Sequence, residues 1–108
     1  MSVDLEKYDE IINNDFVEFM KNLIIVEKKT YRLKQTLIKR KAYYILNTDW
    51  GSVNEERKKQ NLPKISNQTM KDAYIAELLE DLTEEYNTVK MEYQYLHELW
   101  KWKLRNNI

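Results

Sequence analysis

Glu77, Glu80, Asp81, Glu84 and Glu85 recur at steps of three and four, so on a helix several would share one face and could gather a hard cation. A carboxylate-held metal pair in a helical bundle also needs a Glu three residues ahead of an inward His. Here the residue three ahead of His97, the only histidine, is Gln94. The metal set is therefore incomplete and none is expected. His97 follows the core position Leu96 and has no serine or cysteine nucleophile in a recognised motif beside it. With a single glycine the chain cannot build a phosphate-cradling loop. The sequence thus predicts no catalytic residue, no metal and no cofactor, and the chain reads as a binding protein and not as an enzyme.

Lys28, Lys29, Arg32, Lys34, Lys39, Arg40 and Lys41 form a run without an intervening acid, and Tyr31, Tyr43 and Tyr44 are interleaved with it. Cations on successive turns can follow a phosphate backbone while tyrosines stack on bases, so nucleic-acid binding is one candidate function. The plainer reading is a solvated face that balances acids on the neighbouring element. Whole-chain composition does not advertise nucleic acid, because Lys+Arg and Asp+Glu are equal at 18 each in 108 residues. The chain lacks cysteine, so no disulfide or thiolate metal site can form. No apolar run approaches the roughly 20 residues that would span a bilayer. The start MSVDLEKYDE has neither a basic n-region nor an apolar h-region, and a cytoplasmic protein is expected, with no membrane partner.

The elements that must carry these residues are helices. Alternating steps of three and four from Ile12 give Ile12, Phe16, Phe19, Leu23, Val26, Thr30, Leu33, Leu37, Arg40 and Tyr44, apolar except at Thr30 and Arg40. The same walk from Ile75 gives Leu79, Leu82, Tyr86, Val89, Tyr93, Leu96 and Trp100 before reaching Lys103. This predicts a long helix over about 4–46, a connector over 47–66, and a second long helix over about 67–105, in one domain spanning 1–108. The only glycine and the only proline, Gly51 and Pro63, both fall in the connector. Asn47, Asp49 and Gly51 read as a helix stop, and Pro63 disfavours helix at Leu62. Ser52 and Glu55 read as a capping box for a short helix over about 53–61, and Ser66 or Asn67 as the cap of the second long helix.

Charge order predicts an antiparallel hairpin. The first helix runs from Asp4, Glu6, Asp9, Glu10, Asp15 and Glu18 to the basic run, and the second runs from acids to Lys90, Lys101, Lys103 and Arg105. Beside the first core stripe lies another of Val17, Met20, Ile24, Tyr31, Ile38 and Ile45, more apolar surface than one partner helix covers. The fold class expected is therefore all-α, a coiled-coil-like helical hairpin that dimerises into a four-helix bundle, with Val17, Met20, Ile24, Tyr31 and Ile38 as the dimer face. Trp50, Leu62 and Ile65 are expected to plug the hinge. Trp50, Arg57, Lys58 and Leu62 there, with Trp102 near the C-terminus, are the candidate surface for a protein partner. Because Trp100 and Trp102 cannot share a helix face, one of them should sit at a boundary. Val3, Leu5, Tyr8 and Ile11 are the expected packing partners for this end.

Thr48, Asp49, Trp50, Asn54, Glu55 and Arg57, followed by Asn67, Lys71, Ala73, Tyr74 and Ile75, form a pattern of an aromatic turn and an asparagine-capped helix. That pattern resembles small helical proteins encoded by phages and prophages of low-GC Gram-positive bacteria. ERKKQNLPKIS lengthens the connector beyond their pattern. The resemblance implies an accessory protein in the host cytoplasm that acts on defence, transcription or DNA metabolism through a protein partner, and it assigns no active residue.

Overall fold

The computed structural model describes residues 15–106, which form four helices and no strand. These are α1 (Phe16–Asn47), α2 (Trp50–Lys59), α3 (Gln68–Leu78) and α4 (Glu80–Asn106). The molecule is a rod with extents of 63 × 23 × 18 Å, as expected for a helical hairpin. Among the described residues no helix is long and apolar enough to cross a membrane.

The core follows the two stripes. Phe19, Leu23 and Val26 of α1 are buried with Val89 and Leu96 of α4, and Leu33, Tyr93, Leu99 and Trp100 pack around them. At the other end, Lys41 and Ile45 of α1 share a cleft with Ile75 of α3 and with Leu79 and Thr83, so α1 runs antiparallel to α3 and α4. Arg40, where the first stripe is interrupted, is exposed.

Both expected long helices depart from their predicted bounds. Asp15 is extended (φ −147°) and caps α1 by accepting from the Glu18 N–H at 3.1 Å, so helix does not run continuously from 4 to 46. The expectations resting on Val3, Leu5, Tyr8, Ile11 and Ile12 lie outside the described residues. The second long helix is interrupted at Leu79, whose N–H is shared between the Ile75 and Ala76 carbonyls at 3.1 and 3.2 Å. Such sharing tightens the turn toward 3₁₀ geometry. Neither glycine nor proline is near, and Ile75 and Leu79 are both buried, so the departure accompanies packing and not a helix breaker.

Charge polarity agrees with the antiparallel alignment, but not through contacts between the helices. Among the described residues the ion pairs are Lys59–Glu56 at 4.0 Å and Lys101–Glu98 at 3.5 Å, each between neighbours on one helix. Neither joins α1 to α4. The cations of α1 and the acids of α3 and α4 are exposed, apart from half-buried Glu92. Pairs at such distance orient weakly and are screened by salt.

Because Phe19 is fully buried, Phe19→Ala should remove about 3–5 kcal/mol of stability. Val17, 64% exposed on the next line of the same helix, should lose under about 0.5 kcal/mol when changed to alanine. Urea unfolding followed by circular dichroism distinguishes the two, and equal losses would contradict the assigned core.

Candidate functional site

The hinge is built by short-range polar bonds. α1 ends at Asn47, and Thr48 closes it by donating its N–H to the Tyr44 carbonyl at 3.1 Å, with its hydroxyl donating to the same oxygen. Asp49 then caps α2, accepting from the Ser52 N–H at 3.2 Å and from the Ser52 hydroxyl at 2.9 Å. Asp49 and not Ser52 is therefore the cap. Helix α2 starts at Trp50, and Gly51 lies inside its first turn instead of stopping α1. A methyl on Gly51 would sit 3.3 Å from the capping Oδ1 of Asp49.

The stop of α2 is Asn61. Its φ of 57° is the only positive value among the described non-glycine residues. The N–H of Asn61 donates to the Lys58 carbonyl at 3.1 Å and that of Leu62 to the Arg57 carbonyl at 2.8 Å, which is the bond pair of a Schellman motif. Asparagine tolerates this conformation better than other side chains, at a position where glycine is commonest. Beyond it, Asn54 bonds both backbone groups of Ile65, donating to its carbonyl at 3.0 Å and accepting from its N–H at 2.8 Å. Arg57 donates from Nε to the Pro63 carbonyl at 2.8 Å. Asn67 caps α3 by accepting from the Met70 N–H at 2.8 Å.

These contacts place the candidate protein-binding residues. Trp50 is half-buried edge-on against Tyr74 (5.5 Å between ring centroids), with the Lys71 ammonium 5.6 Å from its ring, so it holds α2 to α3. Arg57 is engaged with Pro63. Ile65 plugs the hinge at 5% exposure, whereas Leu62 does not, being 44% exposed. Lys58 and Leu62 line an open groove of about 500 Å³ with Gly51, Asn54, Glu55 and Lys64. Trp102 lies near the end of α4, the end of the rod away from the hinge, and cannot join that groove. Half-buried Trp100 and the more exposed Trp102 divide between core edge and boundary. His97 is half-buried, with its ring 5.8 Å from those of Tyr93 and Trp100. Among the described residues no three His, Asp or Glu side chains converge as metal ligands would.

The basic residues of the 28–41 run on α1 are exposed, and none of them is ion-paired among the described residues. At about 100° per residue, Lys28, Lys29, Arg32, Lys39 and Arg40 fall within one arc of about 120° on the outward side of α1, while Lys34 and Lys41 lie outside it. Lys39 and Arg40 border a shallow cavity of about 380 Å³ with Tyr43 and Tyr44, whose rings meet edge to face at 5.8 Å.

The surplus stripe is open to solvent. Val17, Ile24, Tyr31, Ile38 and Ile45 are 64, 47, 65, 53 and 54% exposed. Met20, expected with them, instead packs against the edge of the core. Each of the five exposed residues is seven positions from the next, so they form one line about 42 Å long. Ile25 and Leu46, 61 and 81% exposed on the opposite shoulder, were not signalled by the stripe. No family model, curated protein or solved structure matches the chain.

Removing the Asn54 side chain orphans the two backbone groups of Ile65, and Asn54→Ala should cost about 1–3 kcal/mol in urea unfolding. A loss below the error of the fit would show that Asn54 does not hold the connector. A second check uses acid. The Ser52 N–H and hydroxyl bonds hold the Asp49 carboxyl below its ordinary value. A depressed carboxyl stabilises fully above its unfolded value, about pH 4, and that contribution is lost as pH falls through the lower folded value. Asp49→Asn should therefore flatten the dependence of stability on pH below about 4. An unchanged profile would exclude Asp49 as a source of acid sensitivity.

Proposed function

We propose that the chain is a non-enzymatic accessory protein of the phage type, which works in the host cytoplasm by binding another polypeptide. The observation that carries this reading is the line Val17–Ile24–Tyr31–Ile38–Ile45, a heptad-spaced apolar row left uncovered along nearly the whole of α1. An exposed row of this kind is the face that a helix presents to another helix. The open groove at the hinge, lined by Lys58 and Leu62, offers a second contact region for a partner protein. Trp50 and Arg57 contribute to it indirectly, by holding the hinge in shape.

The nucleic-acid reading draws on Lys28, Lys29, Arg32, Lys39 and Arg40, which share the outward side of α1 as a phosphate track requires. It stands second because Lys34 and Lys41 lie off that side and the whole chain carries as many acids as bases. Affinity capture from bacterial lysate, with and without nuclease, tests the two readings. Capture of a discrete protein that withstands nuclease is expected, and it should fall about ten-fold with Ile24→Asp/Ile38→Asp or with Lys58→Glu/Leu62→Asp. Recovery of nucleic acid, lost with Lys29→Glu/Arg32→Glu/Lys39→Glu and indifferent to the apolar variants, would replace protein binding by the second reading.

A further inference from the structure

The apolar row on α1 has a symmetry that singles out its occupant. Tyr31 stands at the midpoint, with Ile24 and Ile38 at equal distances on either side and Val17 and Ile45 beyond them. A two-fold axis through Tyr31, perpendicular to the helix, lays the row onto itself. Val17 then faces Ile45 of a second copy, Ile24 faces Ile38, and the two Tyr31 rings meet at the centre. An antiparallel isologous contact requires such a match about its centre.

The charges along α1 decide the direction. One shoulder carries Glu27 and Lys34, with Met20 and Lys41 further out. The other carries Lys28 and Gln35, with Lys21 and Ala42 further out. In an antiparallel pair like shoulders meet, so Glu27 lies level with Lys34 of the second copy, twice by symmetry, and Lys28 lies beside Gln35. In a parallel pair opposite shoulders meet, which gives Glu27 the Lys28 of the second copy and lays one 28–41 cationic block along the whole of the other. Glu27 thus finds a cation in either direction, but only antiparallel pairing sets Lys39, Arg40 and Lys41 beside residues 21–27, where Glu27 offsets Lys21.

We propose that two copies of this chain associate through α1, antiparallel and centred on Tyr31, with Glu27 of each copy paired to Lys34 of the other. This deepens the protein-binding reading and rests on it, because it assigns the exposed row to a second copy. The two hinge grooves then sit at opposite ends of the assembly, free for a different partner.

Because the chain has no cysteine, single cysteines report the geometry cleanly. Full-length Tyr31→Cys should oxidise to a disulfide-linked dimer, as should the pair Ile24→Cys/Ile38→Cys, since facing positions bring their Cα atoms within about 7 Å. Val17→Cys alone should not crosslink, whereas Val17→Cys/Ile45→Cys should. Sedimentation of the cysteine-free chain should give twice the monomer mass at tens of micromolar. Glu27→Lys should weaken the association about ten-fold, and Glu27→Lys/Lys34→Glu should restore it. Crosslinking of Val17→Cys as readily as Tyr31→Cys would overturn the antiparallel arrangement. A monomeric mass with nuclease-resistant protein capture intact would overturn the second copy and leave the row to another protein. A monomeric mass with no protein captured would remove the binding reading along with it. Helicity measured on each variant separates misfolding from loss of contact, since all the altered positions are exposed in the single chain.

Discussion

Asn54 does for the connector what a neighbouring strand would do for an isolated extended segment: its amide satisfies the N–H and the carbonyl of Ile65 together. Ile65 is buried, so without that side chain both backbone groups would be taken from water with no replacement. The bond fixes the linker against α2, and Arg57 extends the hold to Pro63. Once Ile65 is fixed, Asn67 is positioned to cap α3, and the direction of α3 sets which residues of the second stripe meet α1. The pairing of Phe19, Leu23 and Val26 with Val89 and Leu96 therefore depends on a hinge that contributes Ile65 as its one buried side chain. A hairpin with an unsatisfied connector could slide by a heptad and still bury leucines, because stripes of this period are degenerate. The hinge removes that degeneracy.

Antiparallel orientation has a separate physical origin. Opposite charge order along the two long segments disfavours the parallel arrangement, yet no ion pair among the described residues joins them, so the effect operates through the summed field. Leaving the cations unpaired has a consequence for the surface. Lys28, Lys34 and Lys41 flank the apolar row on α1, and their charge opposes indiscriminate collapse onto it while their alkyl stems extend its apolar borders.

Periodicity made the hairpin legible because both stripes follow steps that only a helix places on one side, and the buried positions fall on them from Phe19 to Leu96. Of the two caps read for the second long helix, Ser66 and Asn67 at the border of a periodic segment, Asn67 is the one used. Local chemistry was harder to read. Gly51 looks like a stop because glycine usually ends helices, but Asp49 is a better acceptor for the Ser52 N–H and starts α2 ahead of it. Asn61, the actual stop, carries no signal beyond being an asparagine after a lysine-rich turn, since left-handed backbone is a property of position. Asn54 was noticed only as part of a pattern. Its role is a contact across the connector, which neither spacing nor propensity encodes. The resemblance around 48–75 falls largely on these closing contacts, on Asp49, Trp50, Asn54, Arg57, Asn67, Tyr74 and Ile75. The pattern is accounted for as the chemistry of a hinge and names no binding residue.

The apolar surplus was readable as an amount and not as a shape. A sequence shows that Val17, Met20, Ile24, Tyr31 and Ile38 exceed what one neighbour covers, and the fold sorts them by withdrawing Met20 into the core edge. What remains is a row one residue wide. A broad patch would gain from any apolar neighbour roughly in proportion to area. A narrow row gains little unless a partner presents matching side chains at the same heptad spacing over several turns, and the flanking charges penalise partners whose own charges fall out of register. Narrowness therefore converts a non-directional driving force into a test of register. The same property explains how a small hairpin can leave five aliphatic and aromatic residues in water without presenting the continuous apolar face that would make it a general adhesive.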